Sequence, residues 1–370
     1  STTIDATVLT GALPAIDGSS LTGIAGRKNM ILNGAMKVAQ RGTSFAAIGN
    51  GDYSLDRFRI QNNGIGAYTV TQDSTGADGF ANSLKIDCTT ADASPSEFDY
   101  LFMVQRIEGQ DLQQLKKGTA SAESVTLSFW VKCNKTGDFQ VNLYDVDNTR
   151  LIGNTATINS ADTWEQKSLT FAGDTTGAFN DDNGESVRLE WWFDSGSGYS
   201  SGSAPTSWGA QDSADRAVGT TLALADSTSN YINITGVQLE LGTVATDFEH
   251  RSYGEELALC QRYFWQAVNG VTQELGTAFY YTSTVMICKI TFPMPMRVKP
   301  TMTASAGGNE WTFYRDGAGD SMTALSLDNT NAQFTMCFVT NNNQVSGTAG
   351  MAGLLRGVNS ACRLSFDSEL

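Results

Sequence analysis

Apolar and polar residues alternate along much of the chain. Ser124-Val-Thr-Leu-Ser-Phe-Trp-Val-Lys132 keeps this period-2 pattern through its first half, and Asp138-Phe-Gln-Val-Asn-Leu-Tyr-Asp145 repeats it. Trp164-Glu-Gln-Lys-Ser-Leu-Thr-Phe171 and Ser186-Val-Arg-Leu-Glu-Trp-Trp-Phe193 continue the series. Successive side chains of a strand point to opposite faces, so the pattern predicts half-buried strands. Turn-rich stretches separate them and helical periodicity is scarce, which together predict a sandwich or jelly roll. The expected fold class is all-β. A jelly-roll/β-sandwich central domain is expected over residues 29–251 and a smaller, β-sandwich-like C-terminal domain over 252–370. A short stem or attachment segment is expected over 1–28. The segments Asn29 to Met36 and Ile232 to Leu241 are predicted to be neighbouring first and last strands of the central domain.

Near Arg251 the pattern changes. Tyr253 to Tyr263 is the best helical candidate, with Leu257 and Cys260 on one face. Strands are predicted to resume at Ile287–Phe292, Thr301–Ser305, Ala332–Val339 and Ala361–Phe366. Pro293, Pro295 and Pro300 mark turns or edges, since proline cannot donate to a central ladder. The apolar residues of the first 28 positions cannot bury one another in so short a segment, so they call for a partner.

Composition narrows the function. Only 17% of the 370 residues are charged, against roughly 25% in an average soluble domain. The formal net charge is −15. A phosphate-binding surface needs clustered Lys and Arg, so the sequence predicts no role on nucleic acid. It likewise predicts no docking on anionic lipid, and no apolar stretch approaches the roughly 18 residues of a membrane span or resembles a signal peptide. The six cysteines lack any C-x-x-C pair and mostly sit among strand-like neighbours, so they are expected as buried free thiols made in a reducing compartment.

Two sequence blocks frame the central region. The first is Asn29-Met-Ile-Leu-Asn-Gly-Ala-Met-Lys-Val-Ala-Gln-Arg-Gly-Thr-Ser-Phe45 with Tyr53-Ser-Leu-Asp-Arg-Phe58. The second runs from Tyr231-Ile-Asn-Ile-Thr-Gly-Val-Gln-Leu-Glu-Leu-Gly242 through Ala245-Thr-Asp-Phe-Glu-His-Arg-Ser-Tyr-Gly254 to Leu257-Ala-Leu-Cys-Gln-Arg-Tyr-Phe264. With Val104-Gln-Arg-Ile-Glu-Gly109 and Phe292-Pro-Met-Pro-Met-Arg297, they resemble the lectin-like jelly rolls of bacteriophage tail fibre and virion surface proteins. The resemblance implies a virion adhesin, assembled in the host cytoplasm and acting at the host surface. It implies a homotrimer whose N-terminal segment joins other virion proteins and whose jelly roll recognises host-surface polysaccharide. A capsid-attached decoration role and a depolymerase tail spike are the alternatives.

Catalytic signals are sparse. His250 is the sole histidine and lacks a Gly-x-Ser-x-Gly elbow, so a structural hydrogen bond is its expected role. Abundant carboxylates alone define no glycosidase, and the expectation is a protein without catalysis, cofactor or metal. The expected glycan contacts lie in and after Trp191-Trp-Phe-Asp-Ser-Gly-Ser-Gly-Tyr199, where aromatic faces can stack on pyranose rings. They are Trp192, Asp194, Tyr199, Trp208, Gln211 and Asp212. Alternation allows only one of Trp191 and Trp192 to face the core. Asp174 with Asn180-Asp-Asp-Asn-Gly-Glu185 offers oxygen ligands but no calcium-loop spacing, and reads as a solvated turn. Arg41, Arg57 and Arg106 could each bind an acidic sugar. Asp56-Arg57 and Arg106-x-Glu108 read instead as structural ion pairs.

Overall fold

The computed structural model describes residues 28–271, 273–328, 332–342 and 344–370. Apart from Lys28, the expected stem therefore lies outside the described residues. The first unit contains β1 (Ser44–Phe45), β2 (Arg59–Asn63), β3 (Ala67–Asp73), β4 (Ser83–Thr90), β5 (Tyr100–Glu108), β6 (Val125–Cys133), β7 (Gly137–Asp145), β8 (Arg150–Ile158), β9 (Glu165–Phe171) and β10 (Glu185–Ser195). A one-turn helix α1 (Ser197–Ser200), β11 (Gly209–Ala210) and β12 (Tyr231–Leu241) complete it. Two antiparallel six-stranded sheets, ordered β1-β3-β4-β12-β6-β9 and β11-β8-β7-β10-β5-β2, face each other. The fold is all-β, as the alternation requires. Leu127, Phe129 and Val131 of β6 pack with Val141 of β7 and Leu189, Trp191 and Phe193 of β10 in one continuous core.

The first strand expected in that unit does not form. Asn29 to Met36 is an irregular segment, with Asn33 and Met36 in the left-handed region at φ 58° and 55°. It nevertheless lies against β12 as anticipated: Met30 N–H donates to the Leu239 carbonyl at 2.9 Å and Val237 N–H to the Gly34 carbonyl at 3.0 Å. Gly34 is required there, because a Cβ would sit 2.1 Å from the Val237 carbonyl oxygen.

A helix α2 (Tyr253–Gln261), capped by the Ser252 side chain on Glu255 N–H, leads into the second unit. Cys260 is buried on it and Leu257 only half-buried, while Glu256 is the buried residue the periodicity concealed. Ten strands follow: β13 (Phe264–Asn269), β14 (Glu274–Thr282), β15 (Val285–Thr291), β16 (Thr301–Ala304), β17 (Trp311–Arg315), β18 (Ala318–Met322), β19 (Ser326–Leu327), β20 (Met336–Asn342), β21 (Ala352–Gly357) and β22 (Arg363–Asp367). The small sheet β13-β22-β16 and the larger β18-β17-β21-β14-β15-β20-β19 enclose a separate core around Trp311, Phe313, Tyr280 and Phe366. The strand expected from Ala332 starts only at Met336. All six cysteines are buried and free. Burial pushes Cys288 and Cys337 up to about 12 and Cys133 to about 11.

The two units meet through arginines. Arg57, left-handed at φ 72°, is fully buried, bonds Glu369 and the Arg106 carbonyl, and lies 3.4 Å from the centroid of the Tyr263 ring. Arg41 stacks at 3.6 Å over Phe264 and reaches Asp367 at 3.1 Å and Glu369 at 3.2 Å. Arg262 forks onto Glu108 at 2.8 and 2.7 Å. The sequence-neighbour pairings are therefore corrected: Asp56 accepts from Gln40, while Arg106 lies 3.3 Å from Glu185. The structural role expected of Arg41 and Arg57 holds, with partners from the far end of the chain. Removing one member of a buried pair leaves an uncompensated charge, so Glu369→Ala should cost about 3–5 kcal/mol in urea unfolding. A loss below about 1 kcal/mol would show that ring and carbonyl contacts alone hold Arg57.

Candidate ligand-binding site

Period-2 geometry divides β10 between two environments. Val187, Leu189, Trp191 and Phe193 enter the core, so Arg188, Glu190 and Trp192 point outward. Register places Trp192 beside Phe102 of β5 and Gln140 of β7, and Arg188 beside Arg106 and Tyr144. Gln61 of β2 pairs opposite Phe102. One outer face thus presents Gln61, Tyr100, Phe102, Arg106, Arg188 and Tyr144 along neighbouring strands.

The segment after β10 folds down onto this face. Gly198 N–H donates to the Glu97 carbonyl at 2.8 Å, Ala217 N–H to Tyr199 at 2.8 Å and Gly153 N–H to Pro205 at 2.7 Å. This satisfaction of its own backbone groups makes a Gly/Ser-rich segment a fixed cover rather than an open loop. The cover explains Trp192. Both tryptophans are fully buried, Trp191 in the sandwich and Trp192 beneath the cover. Trp192 stacks on Phe102 at 4.3 Å and 16° and donates its Nε1–H to Glu190 at 2.8 Å. Its expected role as a sugar contact is corrected to that of a floor.

Asp194 is also corrected. It is only 7% exposed, and its Oδ2 accepts from Ala225 N–H at 2.9 Å. Desolvation pushes its pKa up to about 6. Trp208 sits away from Tyr199, donating Nε1–H to the Ala172 carbonyl at 2.7 Å and lying 5.4 Å from the Lys117 ammonium. Gln211 donates from its backbone to Thr149, and Asp212 caps a turn through Ala214 N–H at 3.0 Å. Of the six expected contacts, Tyr199 is the one that reaches the outer-face cavity.

Tyr199 joins an aromatic run. Its ring meets Tyr100 edge-on at 5.4 Å, Phe98 edge-on at 6.4 Å and Trp192 at 5.3 Å. Phe98 is 60% exposed. Beside this run opens a cavity of about 170 Å³, lined by Gln61, Tyr100, Phe102, Val104, Arg106, Arg188, Tyr199 and Arg216. Arg216 crosses its floor 4.6 Å from the Trp192 ring and pairs with Glu190. Arg188 forks onto Glu185 at 2.6 and 3.3 Å. Sequence reasoning missed Phe98, Gln61, Tyr100, Arg188 and Arg216. The usable signal was the outward set of the same alternation, in which Arg188, Glu190 and Trp192 share one parity. A second cavity, about 200 Å³ and lined by Arg57, Arg106, Arg251, Gln105, Asp111 and Tyr263 among others, lies in the junction between units, where its three arginines have partners in Glu369, Leu370 and Glu256.

The acidic segment does not behave as a solvated turn throughout. Lys117, buried, places Nζ 2.6 Å from Asp145 and 3.1 Å from Asp174 and donates to the Thr176 and Gly177 carbonyls at 2.8 and 2.7 Å. An ammonium fills the place among oxygens that a hard cation would need. Among the described residues no cluster of three or more His, Cys, Asp or Glu is arranged to hold a metal ion. His250 packs its ring 5.3 Å from Phe80 and 4.9 Å from Phe248; burial and Lys37 lower its pKa.

No family model matches the sequence, and no curated protein does. Among solved structures, the chain is similar to the enzymatically active domain of tailspike protein 4 from bacteriophage CBA120, at 13% identity and TM-score 0.30. That match covers 53% of this chain and 21% of the tailspike chain, about a fifth of its length. A putative sugar binding protein from Bacteroides thetaiotaomicron matches at 14% identity and TM-score 0.32, covering 58% of this chain and all of that one. A xylan-binding domain from Paenibacillus barcinonensis matches at 14% and 0.27, covering 50% and 91%. At TM-scores near 0.3, none of these likenesses fixes the chemistry of this chain.

The raised Asp194 pKa has a definite sign. Between an unfolded value near 3.9 and about 6 in the fold, the native state binds more protons, so stability falls as pH rises through that window. Asp194→Asn keeps an acceptor for Ala225 and removes the buried charge. It should stabilise the protein by about 1–3 kcal/mol at pH 7 and leave it unchanged at pH 4, measured by urea unfolding at both.

Proposed function

We propose that this protein is a non-catalytic virion adhesin, displayed on a phage particle, that binds host-surface glycan on the outer face of β2, β5 and β10. The observation that carries this reading is the aromatic run Phe98, Tyr199 and Tyr100 ending in a cavity with Gln61 and three arginines. Apolar C–H faces of sugar rings pack on aromatic rings, and amide, phenol and guanidinium groups meet hydroxyls. The non-catalytic part is supported by the pairing of the two carboxylates on this face: Glu185 is held by Arg106 and Arg188, and Glu190 by Arg216. Glycoside hydrolysis calls for an acid with a raised pKa at the bond, and Asp194 with that property lies beneath the Ala225 turn.

Binding to one sugar would be weak, and several copies on one particle would raise it through effective concentration. Homotrimer assembly is part of the proposal. It is supported by the outer face of the seven-stranded sheet, where Phe279, Tyr281, Tyr314 and Leu354 are 37–66% exposed and Tyr314 pairs directly with Leu354. Exposed apolar patches of this kind mark interaction surfaces.

Two measurements test the reading. On host polysaccharide, Tyr199→Ala and Tyr100→Ala should each weaken binding about three- to tenfold, the range of an aromatic contact, while Gln211→Ala should leave it unchanged. Equal affinity across all three would remove the outer face as the site. By light scattering, the protein should be trimeric and the double variant Phe279→Asp/Leu354→Asp monomeric; a monomeric parent would sink the assembly claim.

A further inference from the structure

Three guanidinium groups converge on one small cavity in a chain whose formal net charge is −15. Neutral sugars need no such concentration of positive charge, because amides and hydroxyls suffice for their hydroxyl groups. Each of Arg106, Arg188 and Arg216 carries five N–H donors. Arg188 directs two of them at Glu185, Arg216 one at Glu190 and Arg106 one at the Leu370 carbonyl. The Arg216 Nε has no hydrogen-bond partner among the described residues; besides its Glu190 pair, that guanidinium lies against the Trp192 and Phe102 rings at 4.6 and 5.3 Å. After these pairings Arg188 and Arg216 each keep N–H donors that no residue takes up, so the cavity retains unspent donors.

Resting on the glycan reading above, we propose that the ligand is a carboxylate-bearing sugar. Its carboxylate is received by Arg188 and Arg216 while its ring packs against Tyr100 and Tyr199. A planar carboxylate matches an arginine fork through two parallel bonds, which hydroxyls cannot reproduce. The surrounding charge adds a restriction. At physiological salt, screening confines a charge's influence to about 8 Å, so one carboxylate in the cavity experiences the arginines and their partners Glu185 and Glu190 rather than the acidic remainder of the surface. A densely charged polyanion would extend over the acidic remainder of the surface and be repelled there. The favoured ligand therefore carries acidic residues spaced by neutral ones.

The test uses the full chain on an array of uronate- and sialate-bearing oligosaccharides printed beside their carboxyl-reduced forms, with polygalacturonate as the densely charged comparison. Acidic, spaced glycans should bind at least tenfold tighter than their reduced counterparts and tighter than polygalacturonate. Arg188→Gln, which leaves Glu185 paired with Arg106, should lose about tenfold on acidic glycans and nothing on reduced ones. Tyr199→Ala should weaken both. Equal binding of acidic and reduced forms by the parent protein overturns the carboxylate assignment and leaves the glycan reading standing. Polygalacturonate binding most tightly overturns the spacing argument. Absence of binding to every glycan overturns the assignment together with the reading beneath it.

Discussion

The buried guanidinium of Arg57 determines how the two halves of the molecule meet. Its left-handed backbone turns the side chain under the first sandwich, where it finds Glu369, the Tyr263 ring and the Arg106 carbonyl. Desolvating such a charge costs several kcal/mol, and only a full set of partners offsets that. The partners come from three places: the link after α2, the strand β5 and the segment after β22. Arg57 can satisfy its charge only when all three are in place. Apolar surfaces would tolerate sliding; this arrangement of forks and stacked rings does not. Arg297 reinforces it by donating to the carbonyls of Asn183, Ser368 and Glu369 at 2.8 to 2.9 Å.

That junction extends to the candidate site through one residue. Arg106 offers its carbonyl to Arg57 and its side chain to the outer-face cavity. Two residues along β5, Glu108 is gripped by Arg262, and across the ladder Glu185 of β10 approaches both Arg106 and Arg188. The strands that carry the proposed binding face are thus clamped at one end by the second unit. Side chains on such strands hold their positions more closely than side chains on loops, which would suit the proposed selectivity through fork geometry.

The β class was legible because alternation is a local property: each of β6, β7, β9 and β10 announces itself within a few residues. Opposite-face geometry also held, since Trp191 and Trp192 do point to opposite sides. What the pattern could not reveal is that the outward side would be covered, because the cover depends on backbone bonds such as Ala217 to Tyr199. The same limit explains Trp208. In sequence it occupies a Gly/Ser stretch, yet its indole finds the Ala172 carbonyl 36 positions away. The framing motifs hold the two units together. Their polar residues, including Asn33, Gln40, Arg57, Arg251 and Glu256, serve the junction: Asn33 N–H donates to Glu256 at 2.6 Å and Gln40 donates to the Phe264 carbonyl at 2.7 Å. Motif density marked the place where two units must fit, and the proposed binding face shares only Val104 and Arg106 with those motifs.

Charge placement joins these observations. A chain this acidic can keep three arginines on one face because Glu185 and Glu190 neutralise part of their charge before any ligand arrives. A ligand carboxylate would therefore meet the donors that those pairs leave free. A neutral analogue cannot use the fork geometry, while an extended polyanion meets repulsion beyond the cavity, so both wrong classes are penalised by different features of one surface. Weak single contacts with strong rejection of alternatives would suit the proposed display in several copies, where multivalency restores the affinity each site lacks.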